Sequence, residues 1–222
     1  QFDKVKDEHF GPALDKGMAE QLAEVQAIAD NPAAPTFDNT IIAMERSGRL
    51  LGRTSTMLNS LIGADTNPAR QQLQTDYAAK LAAHRDAIHL NPKLFARIEA
   101  LYAARDKAAP NAEGKRLIGR YRRDMVRAGA LLNDEQKTRM RAINAELATL
   151  GARFNKAVLA EVNDSAIVVD SAEELAGLTP AQITAAAEAA KKRGLEGKYV
   201  LTLLNTTIQP QETDLQNRAV RE

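Results

Sequence analysis

The chain has 222 residues, enough for one large domain or two small ones, and its 30 Lys and Arg against 29 Asp and Glu leave a formal charge of +1. That balance argues against a nucleic-acid binder, which carries a strong basic excess. The absence of cysteine excludes a disulfide framework and a thiolate metal site. No apolar run approaches the length of a membrane span, so no membrane partner is expected. Alanine is abundant and Trp is absent, a composition that favours helices packed closely through small side chains. The opening stretch QFDKVKDEHF is polar and shows no signal peptide. Because the chain starts with Gln rather than Met, it reads as processed or cut, and a leader upstream stays open. A cytoplasmic location is expected, with the periplasm as the other compartment.

Phe10, Leu14, Met18, Leu22, Val25 and Ile28 recur at helical spacing. They predict a helix ending near Asp30, where Asn31-Pro32 and then Pro35 follow. A second helix is expected from Thr36–Asn39, with Ile41, Met44, Leu51, Leu58 and Ile62 as its stripe. Gly48 and Ser55 fill the gaps, leaving a seam narrow enough for another helix. Asn67-Pro68 and Asn91-Pro92 each pair an N-cap with proline at the first helical position. The helices they open carry the stripes Leu73, Tyr77, Leu81, His84, Ile88 and Leu94, Phe95, Ile98, Leu101, Tyr102. A loop around Pro110 ends the latter. The fifth helix, Glu113 to Leu132, has an apolar face (Ile118, Tyr121, Met125, Ala128, Leu132). Arg116, Arg120, Arg123 and Arg127 line the opposite side at a 4-3-4 spacing.

Asn133 caps the stretch that is expected to organise the rest, Asn133 to Val162. Met140, Ile143, Leu147, Leu150 and Phe154 share one helical face, and other helices should lean on it. After Phe154 the seam shifts to Val158 and Val162, and Gly151 reads as a close-packing point. At Ser165 the pattern changes. Ala166 to Val169 and Tyr199 to Leu204 read as two strands that pair in a direction the sequence leaves open. Between them Thr179-Pro180 opens an Ala-rich helix that stops at Gly194. Beyond Pro210, DLQNRAVRE reads as the opening of a helix that continues into sequence not present here. The expected fold is mainly α: an array of long antiparallel helices over 1–163, with a small two-stranded β element and the start of that helix over 164–222.

Catalytic signatures are missing. His9, His84 and His89 are the only histidines, and none lies in H-E-x-x-H. His84 sits in an apolar stripe, so a structural role is expected for it, and His9 should be solvated. There is no G-x-S-x-G elbow, Walker loop or G-x-G-x-x-G, and no acidic pair is singled out. Two readings of the arginine stripe compete. One is a solvated face balanced by acidic neighbours; the other is a positive wall facing an anionic ligand such as a peptide carboxylate.

Several stretches, taken together and in order, carry a resemblance. They are FDKVKDEHFGPAL, NPAAPTFDNTIIAMERSG, LNPKLFARI, YRRDMVRAGALL and AGLTPAQITAAAEAAKKRGLEGKYVLTLLNTTIQP. They resemble the N-terminal part of bacterial peptidyl-dipeptidases of the Dcp type (dipeptidyl carboxypeptidases), in the thimet oligopeptidase and neurolysin family of zinc metallopeptidases. The oligopeptidase A branch is similar over the helices; the stretch from Gly177 to Pro210 looks more like the Dcp branch. The resemblance implies a longer, mostly helical enzyme that releases C-terminal dipeptides from oligopeptides, with two halves flanking a deep channel. It also implies zinc in that longer protein, held by an H-E-x-x-H helix and a further Glu that this sequence lacks. No catalytic or zinc residue carries over to any position here. The chain is then expected to be inactive alone, to wall the channel, and to have the catalytic half of the same polypeptide and oligopeptide substrates as partners. The alternative is a stand-alone helical protein-interaction module.

Overall fold

The computed structural model describes residues 4–203 and 211–222. It is mostly helical, with one two-stranded sheet. Two compact units divide inside a helix, between Arg153 and Phe154. Among the described residues no helix is long and apolar enough to cross a membrane.

The first unit begins with α1 (Phe10–Ala29) and a π-helical turn (Phe37–Ile42) that runs into α2 (Ala43–Arg46). It continues through α3 (Arg49–Ala64), α4 (Pro68–His89), α5 (Pro92–Ala103), α6 (Arg105–Ala108), α7 (Ala112–Ala128) and the start of α8 (Asp134–Asp164). The asparagine caps form as the sequence indicates. The Asn67 side chain accepts from the Arg70 N–H at 2.9 Å, and that of Asn91 from the Leu94 N–H at 3.1 Å. Asn133 accepts from Gln136 N–H at 2.9 Å while Gln136 Oε1 accepts from Asn133 N–H at 3.1 Å, a reciprocal box.

α1 packs on α3, α4 and α5. Phe10 and Leu14 meet Leu51, Leu58 and Tyr77; further along, Val25 and Ile28 meet Leu94, Ile98 and Met125. At Gly17 a Cβ would stand 2.7 Å from the Leu51 backbone nitrogen, so only glycine lets α1 and α3 come this close.

Three expectations for this unit need correction. The second helix is two pieces, because Ser47 is extended and Gly48 takes φ 68°. Its N–H turns to the Glu24 carboxylate at 2.7 Å, so Gly48 is a break rather than a gap-filler. α7 stops at Ala128 instead of Leu132: Gly129 takes φ 108°, and the Ala130 N–H returns to the Met125 carbonyl at 3.0 Å. Finally, α8 runs as expected but is not what other helices lean on. Its buried residues are Lys137 and Ala152, and Asn144 Nδ2 donates to the buried Asp86 Oδ1 at 2.8 Å. Leu147, Leu150 and Phe154 are exposed, and open space surrounds Gly151.

In the second unit β1 (Ile167–Val169) pairs antiparallel with β2 (Tyr199–Leu201), Val168 opposite Val200. α9 (Pro180–Lys192) lies against β2. Thr179 Oγ1 caps the Gln182 N–H at 3.3 Å, and Gly194 closes the helix at φ 72°. Val169, Leu175, Leu178, Ala186, Leu201 and Leu215 form its core. Leu204, expected to end the second strand, and Pro210 lie outside the described residues. The expected single helix after Pro210 is two short turns instead, one through 211–214 and α10 (Arg218–Arg221). Leu215 and Val220 are both buried; five residues apart, they would face different sides of one helix, so the chain breaks between them.

Candidate functional site

α7 is built to present one face inward and one outward. Asn111 caps it through the Gly114 N–H at 2.8 Å. Ile118 is fully buried and Met125 is 2% exposed. Tyr121 Oη donates to Glu45 Oε1 at 2.6 Å; burial, then this carboxylate, push its phenol well above the usual range.

With that face fixed, Arg116, Arg120, Arg123 and Arg127 are all exposed. Arg120 Nε lies 3.5 Å and Arg123 Nε 3.6 Å from the one carboxylate of Asp124. Arg116 and Arg127 form no ion pair among the described residues. The helix therefore carries a row of guanidinium groups only partly offset by acid. Such a row can hold a carboxylate through paired N–H donors and attract anions over a Debye length of about 8 Å in physiological salt.

One arginine of α7 was missed because it falls outside the 4-3-4 pattern. Arg122 Nε donates to Glu99 Oε2 at 2.8 Å, and its guanidinium stands 4.5 Å from the Tyr102 ring. Arg105 stands 4.3 Å from the same ring. Arg122 thus ties α7 to α5 and is structural. Arg97 was missed too. It is 7% exposed and donates to Asn31 O at 2.8 Å, Ala33 O at 2.9 Å, Asn39 Oδ1 at 2.9 Å and Thr40 Oγ1 at 3.3 Å. Its place inside the apolar run Leu94, Ile98, Leu101 was the available signal: a cation there needs acceptors.

The histidines do not gather. Buried His84 donates from Nε2 to Gln21 Oε1 at 2.7 Å, and burial lowers its pKa. His89 Nδ1 bonds Arg85 O at 2.9 Å, and exposed His9 receives the Lys6 N–H at 3.1 Å. Among the described residues no three His, Asp or Glu side chains are grouped to hold a metal ion. The zinc that the resemblance implies finds no such group among these residues. A cavity of about 250 Å³ between α1 and α3 brings Glu20 and Glu24 near Arg49 and Arg53. Its charges are internally matched, and Glu24 is already engaged by Gly48.

No family model matches the chain. Over all of its residues it is 41% identical to the dipeptidyl carboxypeptidase of Salmonella typhimurium and 39% identical to that of Escherichia coli. It is also 25% identical, again along its whole length, to oligopeptidase A of Haemophilus influenzae. The chain spans about a third of the length of these relatives: 33%, 32% and 32%. Full-length similarity at this level, shared with both peptidase branches, places the chain with the N-terminal part of the dipeptidyl carboxypeptidases, in the thimet oligopeptidase family.

Proposed function

We propose that the chain is the non-catalytic N-terminal region of a zinc peptidase that releases C-terminal dipeptides from oligopeptides, and that it walls the substrate channel. The observation that carries this reading is the similarity along all 222 residues to two proteins named dipeptidyl carboxypeptidase. Their name describes the reaction; their length leaves room for catalytic residues outside the matched third.

In that role α4 and α5 hold α7, and α7 holds the arginine row. Facing the channel, Arg116, Arg120, Arg123 and Arg127 would give a peptide's terminal carboxylate a positive wall to approach. The catalytic half of the same polypeptide supplies zinc and the proton-transfer group.

Two measurements test the reading. The gene should encode H-E-x-x-H downstream of Glu222, and the purified 222-residue chain supplied with zinc should cleave no peptide. A gene without that motif overturns the proposal. The other reading, a stand-alone interaction module, draws on the exposed apolar residues of α8. A native stop codon after Glu222 together with a stable protein partner would favour it.

A further inference from the structure

The cavity of about 250 Å³ between α1 and α3 is balanced in charge without being closed by it. Gly17, Glu20 and Glu24 share one stripe of α1 at i, i+3 and i+7, and Arg49 and Arg53 stand one turn apart on α3. The two acids are therefore about 6 Å apart along one helix, and the two arginines about 6 Å apart along the other. Yet among the described residues no ion pair crosses the cavity. Glu20 lies 3.7 Å from Lys16 on its own helix, and one oxygen of Glu24 accepts the Gly48 N–H at 2.7 Å. Neither the Arg49 nor the Arg53 guanidinium has a partner among the described residues. The hollow has a local cause. Two of its lining residues lack a side chain, and both are held to glycine: Gly17 by the Leu51 backbone nitrogen, 2.7 Å from where a Cβ would stand, and Gly48 by its φ of 68°.

We propose that this cavity binds a small zwitterion, a free amino acid or a dipeptide, with its ammonium on Glu20 and Glu24 and its carboxylate on Arg49 and Arg53. A carboxylate accepts at several lone pairs, so Glu24 keeps acceptor capacity while it holds Gly48. A guanidinium matches a carboxylate in geometry, two N–H donors to two oxygens. The volume lies below the roughly 300–1,000 Å³ of drug-sized pockets, which limits the ligand to one or two small residues. A ligand with a single charge satisfies one wall and leaves the other as it was, whereas a zwitterion engages both helices at once. Bound there, it ties α1 to the start of α3 beside the break at Ser47 and Gly48. The site stands apart from the peptidase reading and needs no residue beyond these two helices.

Hydrogen exchange of the full-length protein, read by mass spectrometry with and without L-alanyl-L-alanine or L-alanine, tests the site. Ligand across the cavity should slow exchange in the segment Gly48 to Arg53 at least about 5-fold, half-maximally at or below about 1 mM. The two ligands distinguish the sources, because a dipeptide places its termini about 3.8 Å farther apart than an amino acid does. Whichever protects at the lower concentration identifies the ligand; protection by neither overturns the proposal. N-acetyl-alanylalanine lacks the ammonium and alanylalanine amide lacks the carboxylate. Each should need at least about 10-fold more ligand for the same protection than alanylalanine does, and equal protection by either overturns the zwitterion. Arg53→Ala and Glu20→Gln, both at exposed positions, should abolish the protection and leave exchange around buried Ile98 as in the parent, which shows that the fold is kept. Protection that survives both substitutions, or that falls only outside residues 17–53, overturns the site. Dipeptide release measured on the same sample bears on the peptidase reading alone.

Discussion

Arg97→Met is the substitution whose cost the structure specifies most fully. Methionine keeps much of the stem's packing and deletes the guanidinium that bonds Asn31 O, Ala33 O, Asn39 Oδ1 and Thr40 Oγ1. A hydrogen bond from a charged donor contributes at least about 1.5 kcal/mol, so the four together hold roughly 6 kcal/mol. Half of that is recoverable, because Ala33 is exposed and Asn31 half-buried, and water can reach both carbonyls. Thr40 is fully buried, and Asn39 Oδ1 is fixed in place by the N–H of Thr36 at 2.8 Å and the hydroxyl of Thr40 at 2.9 Å. The unrecovered loss is therefore about 3 kcal/mol, which corresponds to a melting shift of roughly 6–12 °C for a protein of this size. Calorimetry of the 222-residue chain, following the transition of the unit up to Arg153, measures it. Arg97→Lys should recover less than half, because one ammonium cannot span two carbonyls and two side-chain oxygens. A loss below about 1 kcal/mol for the methionine variant would show that water replaces the guanidinium and that Arg97 does not hold the 31–40 connection.

The remaining predictions concern pH and the arginine row. Tyr77 donates to Gly11 O and the Asp15 carboxylate, and burial, then Asp15, raise its phenol to about 12. Since the folded value lies above the unfolded one, this stability is complete below about pH 10 and is lost as the pH rises towards 12. The difference in unfolding free energy between the parent and Tyr77→Phe should shrink across that window; a constant difference would refute the coupling. His84 has the opposite sign. Burial lowers its pKa, so its stability is complete above the ordinary imidazole value of about 6.5 and falls away as the pH drops through it. His84→Gln should flatten the acid limb of the unfolding curve, and an unchanged limb would place the acid sensitivity elsewhere. In the full-length enzyme, Arg120→Ala with Arg123→Ala should raise KM for peptides several-fold and weaken its dependence on salt. Unchanged kinetics would return the row to a solvated face.

Local chemistry was legible in the sequence where one or two residues decide it. Asn67, Asn91, Asn133 and Thr179 cap because a short polar side chain meets a free N–H, with no help from distant contacts. The helical stripes of α1, α4 and α5 were legible for a similar reason: periodicity selects their buried face, with Leu22 of α1 the exposed exception. What stayed hidden depends on partners. Gly48 looks like a small residue in a seam, and Gly129 like one more position inside a helix, until their positive φ is seen. The strand pair was visible, but its antiparallel direction needed the register of Val168 on Val200.

The α8 stripe is the instructive case. Periodicity identified Leu147, Leu150 and Phe154 as one apolar face, and that face exists. The inference that it was buried within these residues failed: Leu147, Leu150 and Phe154 are exposed, because periodicity aligns apolar residues on one face without supplying a neighbour for it. The arginine row was equally legible as a pattern. Its function was not, because Arg122 and Arg97, two of the most tightly engaged arginines, lie outside that pattern and are structural.

The central claim is that these residues form part of an enzyme that removes C-terminal dipeptides. The most direct measurement incubates the full-length protein with an N-terminally blocked oligopeptide and identifies the products by mass spectrometry over time. The account predicts successive losses of two residues from the C-terminus, abolished by a chelator and restored by zinc. Internal cleavage, loss of single residues, or activity indifferent to the chelator would contradict it.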